Sequence, residues 1–171
     1  MLNYRTLTDL PSIKRYLQGV TPVAFDFETT SDAAYRTEPK AALDAHKLHI
    51  VSVRFSTTEG DASNVPLLPR IGENCEKQDE LWTFLKTEVF ENPNIVKIAH
   101  NLSFEAMFLY AKNIIVQMPC YDTIAASQLP LKSKCEFRGL HASCLKLLAT
   151  TMFGAEMPSF TSVTMKGILT R

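Results

Sequence analysis

Apolar residues recur at every second position of VAFDFETT (23–30), the pattern of a strand with one buried face. A strand turns alternate side chains to opposite faces, so Phe25 and Phe27 point one way and Asp26 and Glu28 the other. LHIVSVRFS (48–56) is rich in β-branched residues and predicts a second strand; TTEGD then reads as a turn and NVPLLP (64–69) as a third. Three strands in succession predict an antiparallel meander. Before it, Thr8-Asp9 and Pro11 mark a helix start, with Ile13, Tyr16 and Leu17 at helical spacing up to Gly19. The stretch 31–47 has no long apolar period and reads as a connection with a helical turn near 41–45.

Beyond the meander the period changes. Leu81, Leu85 and Val89, with Trp82 beside them, predict an amphipathic helix over Lys77–Glu91 that ends before Asn92-Pro93. Ile95–Ala99 predicts a short strand closed by His100-Asn101, and Leu102–Lys112 a helix with Phe104, Phe108 and Ala111 on one stripe. Extended segments follow at Ile114–Val116 and Cys120-Tyr121, then a helix capped by Asp122 and running through Leu129. Leu140, Cys144, Leu147 and Leu148 predict a last helix, terminated by Gly154. Strands first, then strand and helix in alternation, predict an α/β fold: a mixed sheet, antiparallel and then parallel, flanked by helices.

A chain of 171 residues suits one domain with a real core, so we expect residues 1–171 to form a single domain. No apolar run approaches the length of a membrane span, and MLNYRTLTDL lacks a basic stretch followed by an apolar one, so neither membrane insertion nor secretion is indicated. Cys75, Cys120, Cys135 and Cys144 form no CxxC pair and read as reduced thiols; Cys135, His141 and Cys144 match no standard zinc spacing. The formal net charge is zero, which argues against a freestanding binder of long duplex nucleic acid. The charge is uneven, acidic residues leading over 1–130 and basic ones over 131–171, so the C-terminal end offers a surface for a polyanion or a solvated loop.

Composition does not explain Asp26 and Glu28. Like charges this close raise each other's pKa unless a cation lies between them, and oxygen ligands of this kind suit Mg2+ or Mn2+. Asn101 and Glu105, four apart, share one face of the helix that follows strand 95–99. If that strand lies beside 23–28, Glu105 approaches the pair.

In these features the sequence resembles the DnaQ-like, or DEDD, 3′–5′ exonuclease superfamily, and within it the proofreading domain of family A DNA polymerases. The first family motif, DxE on the first strand, is similar to Asp26-Phe27-Glu28-Thr29. The second, Asn followed four residues later by an acid, is similar to His100-Asn101-Leu102-Ser103-Phe104-Glu105, with Glu where the family usually has Asp. An Asp-Thr that opens the next helix is similar to Asp122-Thr123. The resemblance covers roughly residues 20–150 and implies a ribonuclease H-like fold. The third motif, Tyr-x-x-x-Asp, is absent, since no tyrosine follows Tyr121. The expectation is therefore an N-terminal part of a longer polymerase chain, cut before its fourth acidic ligand.

The resemblance also implies hydrolysis of 3′-terminal phosphodiesters of single-stranded DNA with two divalent ions, Mg2+ or Mn2+. By it, Asp26 bridges both ions, Glu28 holds the ion of the attacking water, and Glu105 helps hold the second. Thr29 and Asn101 contact the terminal nucleotide, and Asp122 gives local support. His100 reads as a hydrogen-bonding residue at a strand end rather than a base. The implied partners are a DNA 3′ end and a polymerase domain in the same chain, in the cytoplasm of a bacterial or phage-infected cell. Two alternatives stay open: a ribonuclease D-like enzyme that trims RNA, and a catalytically incomplete exonuclease-fold scaffold.

Overall fold

The computed structural model describes residues 3–67, 77–131 and 145–155. Two compact units divide the chain at Thr123, the first spanning Met1–Thr123 and the second Ile124–Arg171. The first unit is built on a six-stranded sheet. Its strands are β1 (Asn3–Thr6), β2 (Val23–Ser31), β3 (Leu48–Thr58), β4 (Asp61–Pro66), β5 (Lys97–Ala99) and β6 (Cys120–Asp122), in the order β1-β4-β3-β2-β5-β6. β2, β3 and β4 pair antiparallel, as the meander predicts, while β5 and β6 join β2 in parallel and β1 lies parallel to β4 at the far edge.

Two strand expectations shift. β4 runs over 61–66 instead of 64–69, because Gly60, at φ 76°, closes a tight turn that starts the return strand earlier; residues 68 and 69 lie outside the described residues. Ile114–Val116 forms no strand.

The helices of the first unit are α1 (Leu10–Leu17), α2 (Gln78–Phe84) and α3 (Leu102–Ala111). α1 starts where the sequence indicates: Asp9 Oδ1 accepts from the Ser12 N–H at 2.9 Å, and the Ser12 amide bonded to it holds the Asp9 carboxyl below its ordinary pKa. α2 does not end at Phe84; the chain goes on as a π-helix over Leu85–Phe90, with Glu91 N–H donating to Lys86 O at 2.8 Å. That wider turn keeps Leu85, Val89 and Phe90 all buried.

The core is aromatic at its centre. Phe25 and Phe27 of β2 pack against Phe90 with ring centroids 5.0 and 6.1 Å away, and Phe27 meets Phe108 of α3 edge-on at 6.5 Å. Because Phe25 and Phe27 are locked into this core, the alternation of β2 fixes Asp26 and Glu28 on the opposite face. Lys97, fully buried in β5, gives its Nζ hydrogens to the carbonyls of Asn92 (2.6 Å) and Ile95 (2.9 Å), and burial lowers its pKa.

In the second unit, α4 (Thr123–Leu131) and α5 (Leu145–Phe153) are helical, and Leu148 is buried. Gly154 follows α5 at φ 63°, as the sequence predicts; Leu140 and Cys144, placed in the same helix by periodicity, lie outside the described residues, as do Cys75, Cys135 and His141. Among the described residues no helix is long and apolar enough to cross a membrane.

Candidate active site

Asp26 and Glu28 emerge side by side from β2, and β3 delivers a cation to them. Asp26 is opposite Arg54 in the antiparallel register, and Arg54 Nη1 forms an ion pair with Glu28 Oε1 at 2.7 Å while lying 3.9 Å from Asp26 Oδ2. Desolvation at the sheet surface, then the Glu28 charge, raises the Asp26 pKa against the pull of Arg54 and His100.

Glu105 arrives from α3, as the four-residue spacing from Asn101 predicts. β5 lies beside β2 only as far as the pairing of Ala24 with Ile98, and the N–H groups on this side of β2, such as that of Val23, donate to the β5 segment. Past the end of β5 the Phe27 N–H has no strand partner, and Glu105 Oε2 accepts it at 3.2 Å. The Glu105 side chain thus substitutes for a strand and is only 3% exposed. Burial, then the nearby Asp26 charge, pushes its pKa up to about 8, against the Phe27 hydrogen bond.

This predicts a pH signature. The folded pKa of Glu105, about 8, exceeds its ordinary value of 4.5, so the stability it contributes is fully present below about pH 4.5 and is lost as pH rises through about 8. The raised Asp26 pKa acts in the same direction. Glu105→Gln keeps an acceptor for the Phe27 N–H and removes the titration. Melting temperatures followed by circular dichroism in EDTA should fall between pH 5 and 8 for the unmodified chain and fall less for the variant; parallel curves would refute the assignment.

Asn101 occupies the left-handed region, at φ 69°, where asparagine is among the few side chains tolerated. Its N–H and that of Leu102 donate to the two carboxylate oxygens of Asp122, at 3.1 and 3.0 Å. Asp122, on β6, therefore satisfies the first N–H groups of α3, the helix that carries Glu105, a link across the sheet that sequence proximity does not suggest. The Asn101 side chain accepts from Ser103 Oγ at 3.0 Å. Thr29 follows a register shift in β2 and donates its hydroxyl to Ala42 O at 2.7 Å, which ties the 31–47 connection to the strand.

His100 follows β5, with Nδ1 2.8 Å from Thr123 Oγ1, and that hydroxyl also lies 3.3 Å from Ala99 O. Sequence reasoning passed over Arg54. Its signal was available only through pairing: it is a polar position of LHIVSVRFS, and only the hairpin register sets it opposite Asp26.

The donors are hard carboxylate oxygens, and one guanidinium is paired with two acids beside a third carboxyl whose pKa is already raised. That deficit of positive charge fits a divalent cation. Among the described residues, no group of three or more His, Cys, Asp or Glu side chains is gathered closely enough to hold a metal by itself. Asp26 and Glu28 share the sheet face, and Glu105 reaches the same strand at its edge, through the Phe27 N–H between them.

A mixed sheet with a DxE pair on an inner strand, joined by a carboxylate from the helix after the neighbouring parallel strand, defines the class of DnaQ-like 3′–5′ exonucleases. The sequence model of the DNA polymerase A type 3′–5′ exonuclease matches residues 3–157, and the chain belongs to that family, whose members are hydrolytic nucleases. No curated protein sequence matches the chain. Among solved structures it is similar to Brucella melitensis NrnC with bound Mg2+ (21% identity, TM-score 0.58, covering 93% of this chain and 65% of that one). It is also similar to Pol1 from M. smegmatis in complex with DNA primer-template and dNTP (14%, 0.59, 94% and 24%). A third is Escherichia coli RNase D (16%, 0.57, 94% and 36%). These likenesses show a shared ribonuclease H-like fold, and the chain spans less than two thirds of the length of each.

Proposed function

We propose that this chain acts in proofreading, as a 3′–5′ exonuclease that removes terminal nucleotides from single-stranded DNA in a longer, cytoplasmic chain that also carries a polymerase domain. The observation that carries the catalytic reading is the Glu105 bond to the Phe27 amide, which joins the acid of the second motif to the strand between the two acids of the first. In this reading Asp26, Glu28 and Glu105 would hold two Mg2+ or Mn2+ ions. Bound there, such ions lower the pKa of a water and stabilise charge on the attacking and leaving oxygens. The protein's own part is to fix three carboxylates on a rigid strand and a helix start, with Asp122 holding the latter. Thr29 spends its hydroxyl hydrogen on Ala42 O, so its free lone pair suits a hydroxyl donor such as the 3′-OH of a terminal nucleotide. Asn101, exposed at the start of α3, completes that contact.

RNA trimming has support of its own: RNase D, which shares the fold, is described as an exoribonuclease involved in structured RNA processing. Single-stranded DNA and RNA of the same sequence, labelled at the 5′ end and incubated with Mn2+, separate the two. The proofreading reading expects faster shortening of DNA, and faster shortening of RNA would replace it. The scaffold reading predicts no shortening of either, by this chain or by a version extended at its C terminus.

A further inference from the structure

The negative charge of the candidate site is answered from within the chain. Cross-strand partners point to the same face of a sheet, so the pairing of Asp26 with Arg54 brings the guanidinium out beside both acids of β2. It makes an ion pair with Glu28 at 2.7 Å and stands 3.9 Å from Asp26, and among the described residues these are the only ion pairs either acid forms. The contact is made on an open surface, the Arg54 side chain being 56% exposed.

We propose that Arg54 is the resident counter-cation of this site: it holds Glu28 and Asp26 in the metal-free protein, and a divalent ion binds those carboxylates only by displacing it. The inference rests on the reading of the two acids as metal ligands. The oxygen nearest the guanidinium, Glu28 Oε1, belongs to the carboxylate that a metal would require. A guanidinium stays charged in a protein, so raising the pH leaves this competing cation in place. A unit charge within ~5 Å of a divalent ion opposes its binding by about tenfold even at the dielectric of water. Once displaced, the exposed side chain is free to turn into solvent, whereas a buried ion pair would have to leave an unpaired charge inside the fold. Arg54 is accordingly a positioning residue: it acts on the reaction through the carboxylates.

Mn2+ titrations by calorimetry and by electron paramagnetic resonance test this on the whole chain, with folding checked by circular dichroism. Arg54→Gln and Arg54→Met, two neutral replacements of different shape, should each bind Mn2+ about tenfold more tightly than the unmodified chain. Saturating Mn2+ should also raise their melting temperatures by a larger margin. Arg54→Lys, which keeps the charge, should bind nearly as the unmodified chain does. Equal or weaker Mn2+ binding by both neutral variants overturns the proposal, since Arg54 then organises the ligands instead of competing for them. Asp26→Asn separates this failure from failure of the site itself. Mn2+ binding that survives Asp26→Asn overturns the metal-ligand reading, whereas Asp26-dependent binding that neutral variants do not tighten overturns the role of Arg54 alone.

Discussion

Asp26→Ala should leave the protein folded and lower the rate of 3′-terminal hydrolysis by about three orders of magnitude, about 4 kcal/mol of transition-state stabilisation. The size follows from the assigned role. In the proposed reading Asp26 would serve both metal positions, so its loss would weaken the activation of water and the stabilisation of the leaving oxygen together. Stability moves little because of where the residue stands. It lies on the open face of β2, its pKa is already raised by desolvation and by Glu28, and the shorter ion pair of Arg54 is the one with Glu28, which the substitution leaves in place. Removing one of two neighbouring like charges should leave the melting temperature unchanged or slightly higher. The paired measurement is single-turnover hydrolysis with Mn2+ beside thermal unfolding. Equal degradation by the alanine variant would remove Asp26 from the site; a collapse in melting temperature would make it a structural residue.

Much of this architecture is legible in the sequence because it rests on periodicity. The alternation of VAFDFETT and the β-branched run of β3 each report a buried face directly, whereas of the stripe Phe104, Phe108 and Ala111 the structure buries Phe108, half-buries Phe104 and exposes Ala111; the spacing of Asn101 and Glu105 survives because α3 is a regular helix. What was hidden depends on pairing between distant segments. β1 is four exposed residues with no alternation, and it becomes a strand only because the edge of β4 offers it partners; Asn3 N–H reaches Gly60 O at 2.8 Å and Leu7 N–H reaches Asn64 O at 2.9 Å. Arg54 and the bonds from α3 to Asp122 are hidden for the same reason, since register and strand order place them and no local pattern records either. The π-helical run after Phe84 is hidden differently: Leu81, Leu85 and Val89 fit an ordinary helix, and the extra residue in the turn is set by the packing of Phe90.

That packing sets the second large effect. Phe90→Ala should cost about 3–5 kcal/mol of unfolding free energy, a large share of the ~5–15 kcal/mol typical of a native domain. Phe90 is fully buried, with its ring 5.0 Å from Phe25, 6.1 Å from Phe27 and 6.4 Å from Phe55, so truncation leaves a cavity bounded by three aromatic rings on two adjacent strands. Rings on strands held by ladder hydrogen bonds cannot close such a space without moving the backbone. Phe90→Leu fills most of the volume and should lose less than half as much. Urea unfolding measures both. The consequence extends to the site, because Phe25 and Phe27 alternate with Asp26 and Glu28 along β2 and whatever loosens one face frees the other. Phe90→Leu, still folded, should therefore bind Mn2+ more weakly than the unmodified chain while Asp26→Ala, equally stable, binds least. The two faces of one strand then separate cleanly: substitutions on the aromatic face act on stability first and on metal binding through it, and those on the acidic face act on metal binding alone. Loss of Mn2+ binding in Phe90→Leu with no loss of stability would contradict this division and move Phe90 from the core into the site.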